Sequence, residues 1–157
     1  MVKIYCENIH RPGSFELIDH NDQKHVENVY ALIEYHNHLL TIELTNTNLH
    51  FFPGGKVEEG ETHQLALKRE VYEETNQVVN LSSVQEFYNH KAYIYHPVKK
   101  KGFSCSSFYY KATIHQPFSP LGLSHEGQAC WTHIDNLTPD IFSPNGFSVY
   151  QKYITQV

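Results

Sequence analysis

The chain is poor in arginine, in paired cysteines and in long apolar runs, and each scarcity excludes something. Only Arg11 and Arg69 are arginines, and 12 Lys and Arg face 17 Asp and Glu, a net charge of −5 with His neutral. That balance argues against a basic face that grips a nucleic-acid polymer. The three cysteines, Cys6, Cys105 and Cys130, are odd in number and form no Cys-x-x-Cys. They read as small buried fillers in a reducing compartment rather than a disulfide framework. Fully apolar runs stop at a few residues, as in Tyr30–Ile33, far short of the roughly 20 that cross a bilayer. The first fifteen residues are polar and broken by Pro12-Gly13, without the apolar core of a signal peptide, so a cytoplasmic location with no membrane partner is expected. Eight Gly and seven Pro in 157 residues, with no repeat, exclude collagen-like and low-complexity chains. What is present is a 40% hydrophobic sequence rich in Tyr and Phe, enough apolar surface to offset chain entropy. The length suits one domain, 1–157.

Turn clusters divide the chain. Short strands are expected near Phe15–Ile18 and over Asn28–Glu34, the latter in a hairpin with Leu39–Leu44 across Tyr35–His38. Leu49–Phe52 is apolar and stops at Pro53-Gly54-Gly55. Thr62 to Thr75 lacks Gly and Pro and predicts a helix. Val84–Tyr95, Phe103–Ile114 and Ala129–Ile134 are β-prone, Lys99–Gly102 is a basic loop, Gln116–Glu126 is a Pro/Gly/Ser loop, and a second helix is expected from Asn145 to Thr155. Many strands with one central and one late helix point to an α/β or α+β sandwich.

The chemistry concentrates between Gly55 and Glu74, where Glu58, Glu59, Glu61, Glu70, Glu73 and Glu74 accompany Lys56, Lys68 and Arg69. On a helix Glu70, Glu73 and Glu74 project together and repel one another. A solvated face is the plain reading of such a run; a cation is the sharper one, and hard oxygen ligands on a rigid element suit Mg²⁺ or Mn²⁺. Leu65, Val71 and Tyr72 are expected to anchor the helix away from the acids. The glycines at 54 and 55 let the backbone approach a ligand closely.

Gly55, Glu61 and Arg69-Glu70-Val71-Tyr72-Glu73-Glu74 stand at the spacing of the Nudix box, and the chain resembles the Nudix (MutT-like) hydrolases from Gly55 through Gln77. Asn76 replaces the late box glycine and Gln77 the apolar position after it. Asn is the usual substitute where a left-handed residue ends a helix. The resemblance implies an α/β/α sandwich with a mixed sheet between helices, and hydrolysis of a nucleoside diphosphate linked to another moiety. It implies Glu70 and Glu74 as main metal ligands, Glu73 as a further one, and the Gly55 carbonyl beside them. Arg69 would hold the glutamates by ion pairing, and Glu61 would bond within the loop or support the metal shell. The general base varies among relatives; Glu73, Glu74 and Glu126 are the candidates, with a plain solvated loop acid as the other reading of Glu126.

Phe51–Glu58 looks most like the MutT-type nucleoside triphosphate pyrophosphatases, which release monophosphate and pyrophosphate. Lys56 would then meet a phosphate, and Phe51 or Phe52 would stack on a base, although alternation sends one of them to the core. Tyr93 and Tyr95 fall where diadenosine polyphosphate hydrolases tend to carry a Tyr. Hydrolysis of a dinucleoside polyphosphate, ADP-ribose or a nucleotide sugar is the alternative, and a non-catalytic nucleotide sensor the second; intact box glutamates weigh against the sensor. Family habit implies a homodimer. His36-Asn37-His38 has the look of a zinc clip but sits in a turn without further ligands. His90, His96 and His115 are candidates to line the cleft, and Trp131 reads as core.

Overall fold

The computed structural model describes residues 2–156, apart from 9, 12, 118, 119, 125 and 143–145. Among the described residues ten strands run in chain order: β1 (Lys3–Asn8), β2 (Phe15–Asp19), β3 (Lys24–Leu32), β4 (Glu34–Tyr35), β5 (His38–Leu44), β6 (His50–Phe51), β7 (Gly54–Lys56), β8 (Gln85–His96), β9 (Lys101–Lys111) and β10 (Gly127–His133). Two α-helices join them, α1 (His63–Thr75) between β7 and β8 and α2 (Gly146–Ile154) after β10. One mixed sheet has the order β2-β1-β8-β9-β3-β7, and a second has the order β10-β5-β4 with β6 also on β5.

The centre of the larger sheet is β3 beside β9, parallel over nine registered pairs from Lys24↔Phe103 to Leu32↔Lys111. The second half of β3 packs on both faces. Val29 and Ala31 join Ala66, Leu67 and Val71 of α1, whereas Leu32 packs with Tyr109 and with Val149, Tyr150 and Tyr153 of α2. The sandwich of helix, mixed sheet and helix is therefore as expected. Each buried aliphatic such as Leu67 or Val71 contributes about 1.5–3 kcal/mol.

The hairpin over 28–44 is not formed as expected. The apolar run leaves the large sheet after Leu32, and only Glu34 and Tyr35 fold back on Leu39 and His38. His36 (φ 47°) and Asn37 (φ 61°) occupy the left-handed region of that two-residue turn, the geometry that matches strand twist. On its other edge the whole of β5 pairs with β10, from Leu44↔Gly127 to His38↔His133. Periodicity reveals a strand but not its partner. The strand β1 carries no clear signal and was not expected; Val84–Tyr95 forms one strand, with an irregularity between Glu86 and Tyr88. Lys101 and Gly102 belong to β9 rather than to a basic loop. The expected start of α2 at Asn145 lies outside the described residues.

Candidate active site

Helix α1 begins where Thr62 caps it, its side chain accepting from the Leu65 N–H, and ends at Asn76 in the left-handed region (φ 60°). The left-handed end at Asn76 was read from the sequence; the cap at Thr62 follows the usual preference for Thr at that place. The inward face differs from expectation. Leu65 and Tyr72 are exposed, and Ala66, Leu67, Val71, Glu74 and Thr75 are the buried residues of the helix. The acidic edge thus faces the sheet instead of lying opposite the core.

It does so because β7 is made of glycine. Gly54 and Gly55 continue as strand against Tyr30 and Val29 rather than forming an open turn. A β-carbon on Gly55 would lie 2.7 Å from the Glu70 carboxyl carbon, and one on Gly54 would lie 2.0 Å from the Val29 carbonyl oxygen. The missing side chains leave room for the Glu70 and Glu74 carboxylates. The Gly54 N–H donates to Glu74 Oε2 at 2.8 Å.

Arg69 organises the other side. Its Nε and Nη2 donate to the two oxygens of Glu61 at 2.9 and 2.8 Å, a paired fork that adds geometric specificity. Nη1 reaches Glu70 Oε1 at 2.8 Å and Glu73 Oε2 at 3.4 Å, and Nη2 also donates to the Lys56 carbonyl at 3.0 Å. Glu61 accepts in addition from the Glu58 N–H at 2.9 Å. Arg69 and that N–H hold the Glu61 carboxyl down to about 2.

The remaining acids have the opposite problem. Burial raises Glu70 above the usual carboxylate range against the pull of Arg69. Burial pushes Glu74 up to about 8, opposed by the Gly54 N–H and reinforced by Glu126 and Glu70. Glu126 shares a hydrogen bond with Glu74, so the loop acid and the helix acid meet. Asn76 Nδ2 and Gln77 Nε2 both donate to the Pro120 carbonyl at 3.3 Å, and the Gly122 N–H donates to Thr75 O at 3.0 Å. The two departures from the box pattern therefore stitch the helix end to the loop that leads to Glu126. Glu73 is the outlier, its side chain 56% exposed on the flank of Arg69.

Beside this cluster a cavity of about 280 Å³ opens between the sheet and the start of α2, lined by Tyr30, Phe51, His90, Cys105, Ser107 and Tyr109 among others. The charges of Glu74, Glu126 and Glu70 act on the Tyr30 hydroxyl, which burial raises to about 12, linking the cavity to the acids. Both phenylalanines border the cavity; Phe52 is also buried against Phe142, ring centroids 5.4 Å apart, whereas Phe51 is only partly buried. Tyr93 does not border it. The residues of β8 that line the cavity are His90, Ala92 and Ile94, so strand alternation turns Tyr93 to the opposite face with Lys91, whose Nζ lies 5.5 Å from its ring centre. Lys56 is exposed next to the glycines. His96 packs edge-on against His10, 5.4 Å between centroids, and Trp131 packs on the α1 core. The lysines at 100 and 101 border a separate hollow with Asp19 and Asp22. Cys6 is buried, while Cys105 and Cys130 are only partly so. His38 Nδ1 is 2.7 Å from the His36 carbonyl, an engagement local to the turn. The cavity residues Tyr30, Cys105, Ser107 and Tyr109 had no sequence signal beyond strand character.

Fold and site together define an α/β/α sandwich whose box helix aims carboxylates at a glycine strand. A family model described as the NUDIX domain matches residues 24–153, and the chain belongs to that family, the family of the Nudix hydrolases. Among solved structures, a mutator MutT protein from Bacillus halodurans is similar at 21% identity and TM-score 0.64, covering 84% of this chain and 80% of that one. A MutT/nudix family protein from Enterococcus faecalis is similar at 17% identity and TM-score 0.67, over 86% of this chain and 62% of that one. A bifunctional NMN adenylyltransferase/ADP ribose pyrophosphatase from Francisella tularensis, complexed with AMP and a Mn ion, aligns at 16% identity and TM-score 0.60, over 85% of this chain and 42% of that one. No curated protein matches the chain. No helix among the described residues is long and apolar enough to cross a membrane.

Proposed function

We propose that this chain is a divalent-cation-dependent hydrolase that splits a nucleoside triphosphate, ordinary or oxidised, into the monophosphate and pyrophosphate. One observation carries the reading: Glu70, Glu74 and Glu126 interact with one another at the edge of the glycine strand. Arg69 offsets part of the charge of Glu70, yet the carboxylates still raise one another's proton affinity, and an all-oxygen donor set fits Mg²⁺ or Mn²⁺. Glu70, Glu74 and the Gly55 carbonyl would hold the ion, with Glu73 at its exposed margin. When bound, the ion supplies charge neutralisation for the phosphates and acidifies water.

The other steps belong to the chain itself. Arg69 orients Glu70 through its Nη1 while its fork stays on Glu61, so the ligand carboxylate is held before substrate arrives. Glu126 is the proton acceptor for the attacking water, with Glu73 or Glu74 in reserve; its bond to Glu74 gives the abstracted proton a second carboxylate to share. Water adds across one phosphoanhydride, the hydroxyl going to phosphorus and the proton to the departing oxygen. Lys56 offsets phosphate charge, and the base enters the cavity beside Phe51, where aromatic faces and the His90 and Ser107 polar groups can hold it.

The test is a panel of the dNTPs, 8-oxo-dGTP, ADP-ribose, a diadenosine polyphosphate and a nucleotide sugar with Mg²⁺, products read by chromatography. Monophosphate plus pyrophosphate from a triphosphate is the expected result. Cleavage only of ADP-ribose, the dinucleotide or the sugar would overturn the substrate and keep the chemistry. Tight binding without turnover would overturn the chemistry itself.

A further inference from the structure

A second constellation lies in the smaller sheet, outside the carboxylates of the box. A carboxylate oxygen of Glu43, a ring nitrogen of His50 and Sγ of Cys130 all lie within 4.8 Å of one another. The ladder fixes this meeting. Glu43 on β5 is the registered partner of His50 on β6, and Thr41, two residues earlier on the same face, is the partner of Cys130 on β10. His50 Nδ1 and Cys130 Sγ are 3.8 Å apart. Two ligands of one tetrahedral zinc ion stand about 3.5 Å apart at ordinary Zn–S and Zn–N lengths, so small side-chain rotations close the gap.

The surroundings suit a metal-bound sulfur. The fully buried Thr41 hydroxyl lies 3.4 Å from Cys130 Sγ and 2.9 Å from His50 Nδ1. The Thr132 hydroxyl lies 3.6 Å from the same sulfur and 2.8 Å from Thr41. With the Thr132 hydroxyl donating to Thr41, the Thr41 proton is left to donate to the sulfur, an outer hydrogen bond that orients a metal-bound thiolate. Burial keeps the His50 imidazole toward its neutral, ligating form. His50 and Cys130 are only partly buried, which leaves an approach for the ion and a fourth position for water.

We propose that Glu43, His50 and Cys130 form a zinc site, distinct in ligand chemistry from the all-carboxylate box. A thiolate, an imidazole and a carboxylate select a borderline ion such as Zn²⁺ over Mg²⁺. Binding breaks the Cys130 S–H bond, forms the Zn–S bond and releases the proton to solvent. The ion joins β6, β5 and β10, and β6 runs directly into Pro53-Gly54-Gly55; its role is a clip on the strand that feeds the box. The proposal does not depend on the substrate.

The test uses the full chain, stripped with chelator and held in excess Mg²⁺ so that hard-oxygen sites are satisfied. Added Co²⁺ should give a thiolate-to-metal charge-transfer band with tetrahedral ligand-field bands, and Zn²⁺ should abolish both. Cys130→Ser should remove the charge-transfer band and weaken Zn²⁺ binding by about 100-fold or more. In the unaltered chain Zn²⁺ should shield Cys130 from alkylation, mapped by mass spectrometry, and leave Cys105 as reactive as before. A cobalt spectrum without the band, a band that survives Cys130→Ser, or alkylation of Cys130 unaffected by Zn²⁺ would overturn the site.

Discussion

Replacing Gly54 and Gly55 by alanine, one at a time, separates what the glycine strand does for the fold from what it does for the site. In Gly54→Ala the new methyl would lie 2.0 Å from the Val29 carbonyl oxygen and 2.7 Å from Tyr30 Cα. Both are backbone of the half of the central strand β3 that is packed on both faces, so relief requires moving the core. The expected loss is about 3 kcal/mol or more, a fall in Tm of roughly 6–12 °C for a chain of this size. In Gly55→Ala every close contact is with the Glu70 carboxyl group, the nearest at 2.7 Å. That group ends a flexible side chain and can yield by about 0.7 Å, so the expected stability loss is only about 1 kcal/mol. The catalytic cost is larger. A carboxylate displaced by most of an ångström from the metal-binding position proposed for it should lower kcat/KM by about 100-fold, or about 2.7 kcal/mol of transition-state stabilisation. Thermal unfolding and steady-state hydrolysis with varied Mg²⁺ read the two effects separately. Wild-type turnover in Gly55→Ala, with the fold intact, would refute the role given to Glu70. Equal losses of Tm in the two variants would refute the claim that only Gly54 is pressed against backbone.

The Glu74 carboxyl is protonated up to about pH 8 in the folded, metal-free chain but ionises near 4.5 when unfolded. The folded state therefore binds the extra proton, and this group's contribution to stability is present below about pH 4.5 and lost as pH rises to about 8. Denaturant titrations across that range should show the decline in wild type and a shallower one in Glu74→Gln, which should also cut turnover by orders of magnitude. Arg69→Lys keeps the charge but loses the fork on Glu61; it should cost about 1–2 kcal/mol and lower kcat more than it changes KM, as steady-state kinetics would show. Thr62→Ala removes the helix cap and should cost about 1 kcal/mol in chemical denaturation with turnover little changed. Glu126→Gln should lower the rate and flatten the acidic limb of the pH–rate profile, where a general base is lost to protonation, while Mn²⁺ affinity, followed by paramagnetic relaxation, falls far less than in Glu70→Gln.

What the sequence by itself determined is local. The helix over Thr62–Thr75, its left-handed end at Asn76 and the common edge of Glu70, Glu73 and Glu74 follow from composition and helical spacing within one element, which is why the box and its family were legible. The resemblance implied that Arg69 pairs with the box glutamates; that its fork sits on Glu61 only the structure decided. Nor was the depth of the acids legible. Glu74 is buried because two side-chain-free residues of β7 sit under it, and that depends on β7 pairing with β3. The cavity joins residues of β3, β6, β8 and β9, and a one-residue change of strand register would exchange Tyr93 for Ala92. Phe51 and Phe52 could be assigned to opposite faces by alternation, but which face held the core depended on α2. The meeting of Glu43, His50 and Cys130 across three strands left no pattern along the chain, because ladder pairing, unlike helical periodicity, is settled only when distant segments find each other in the folded sheet.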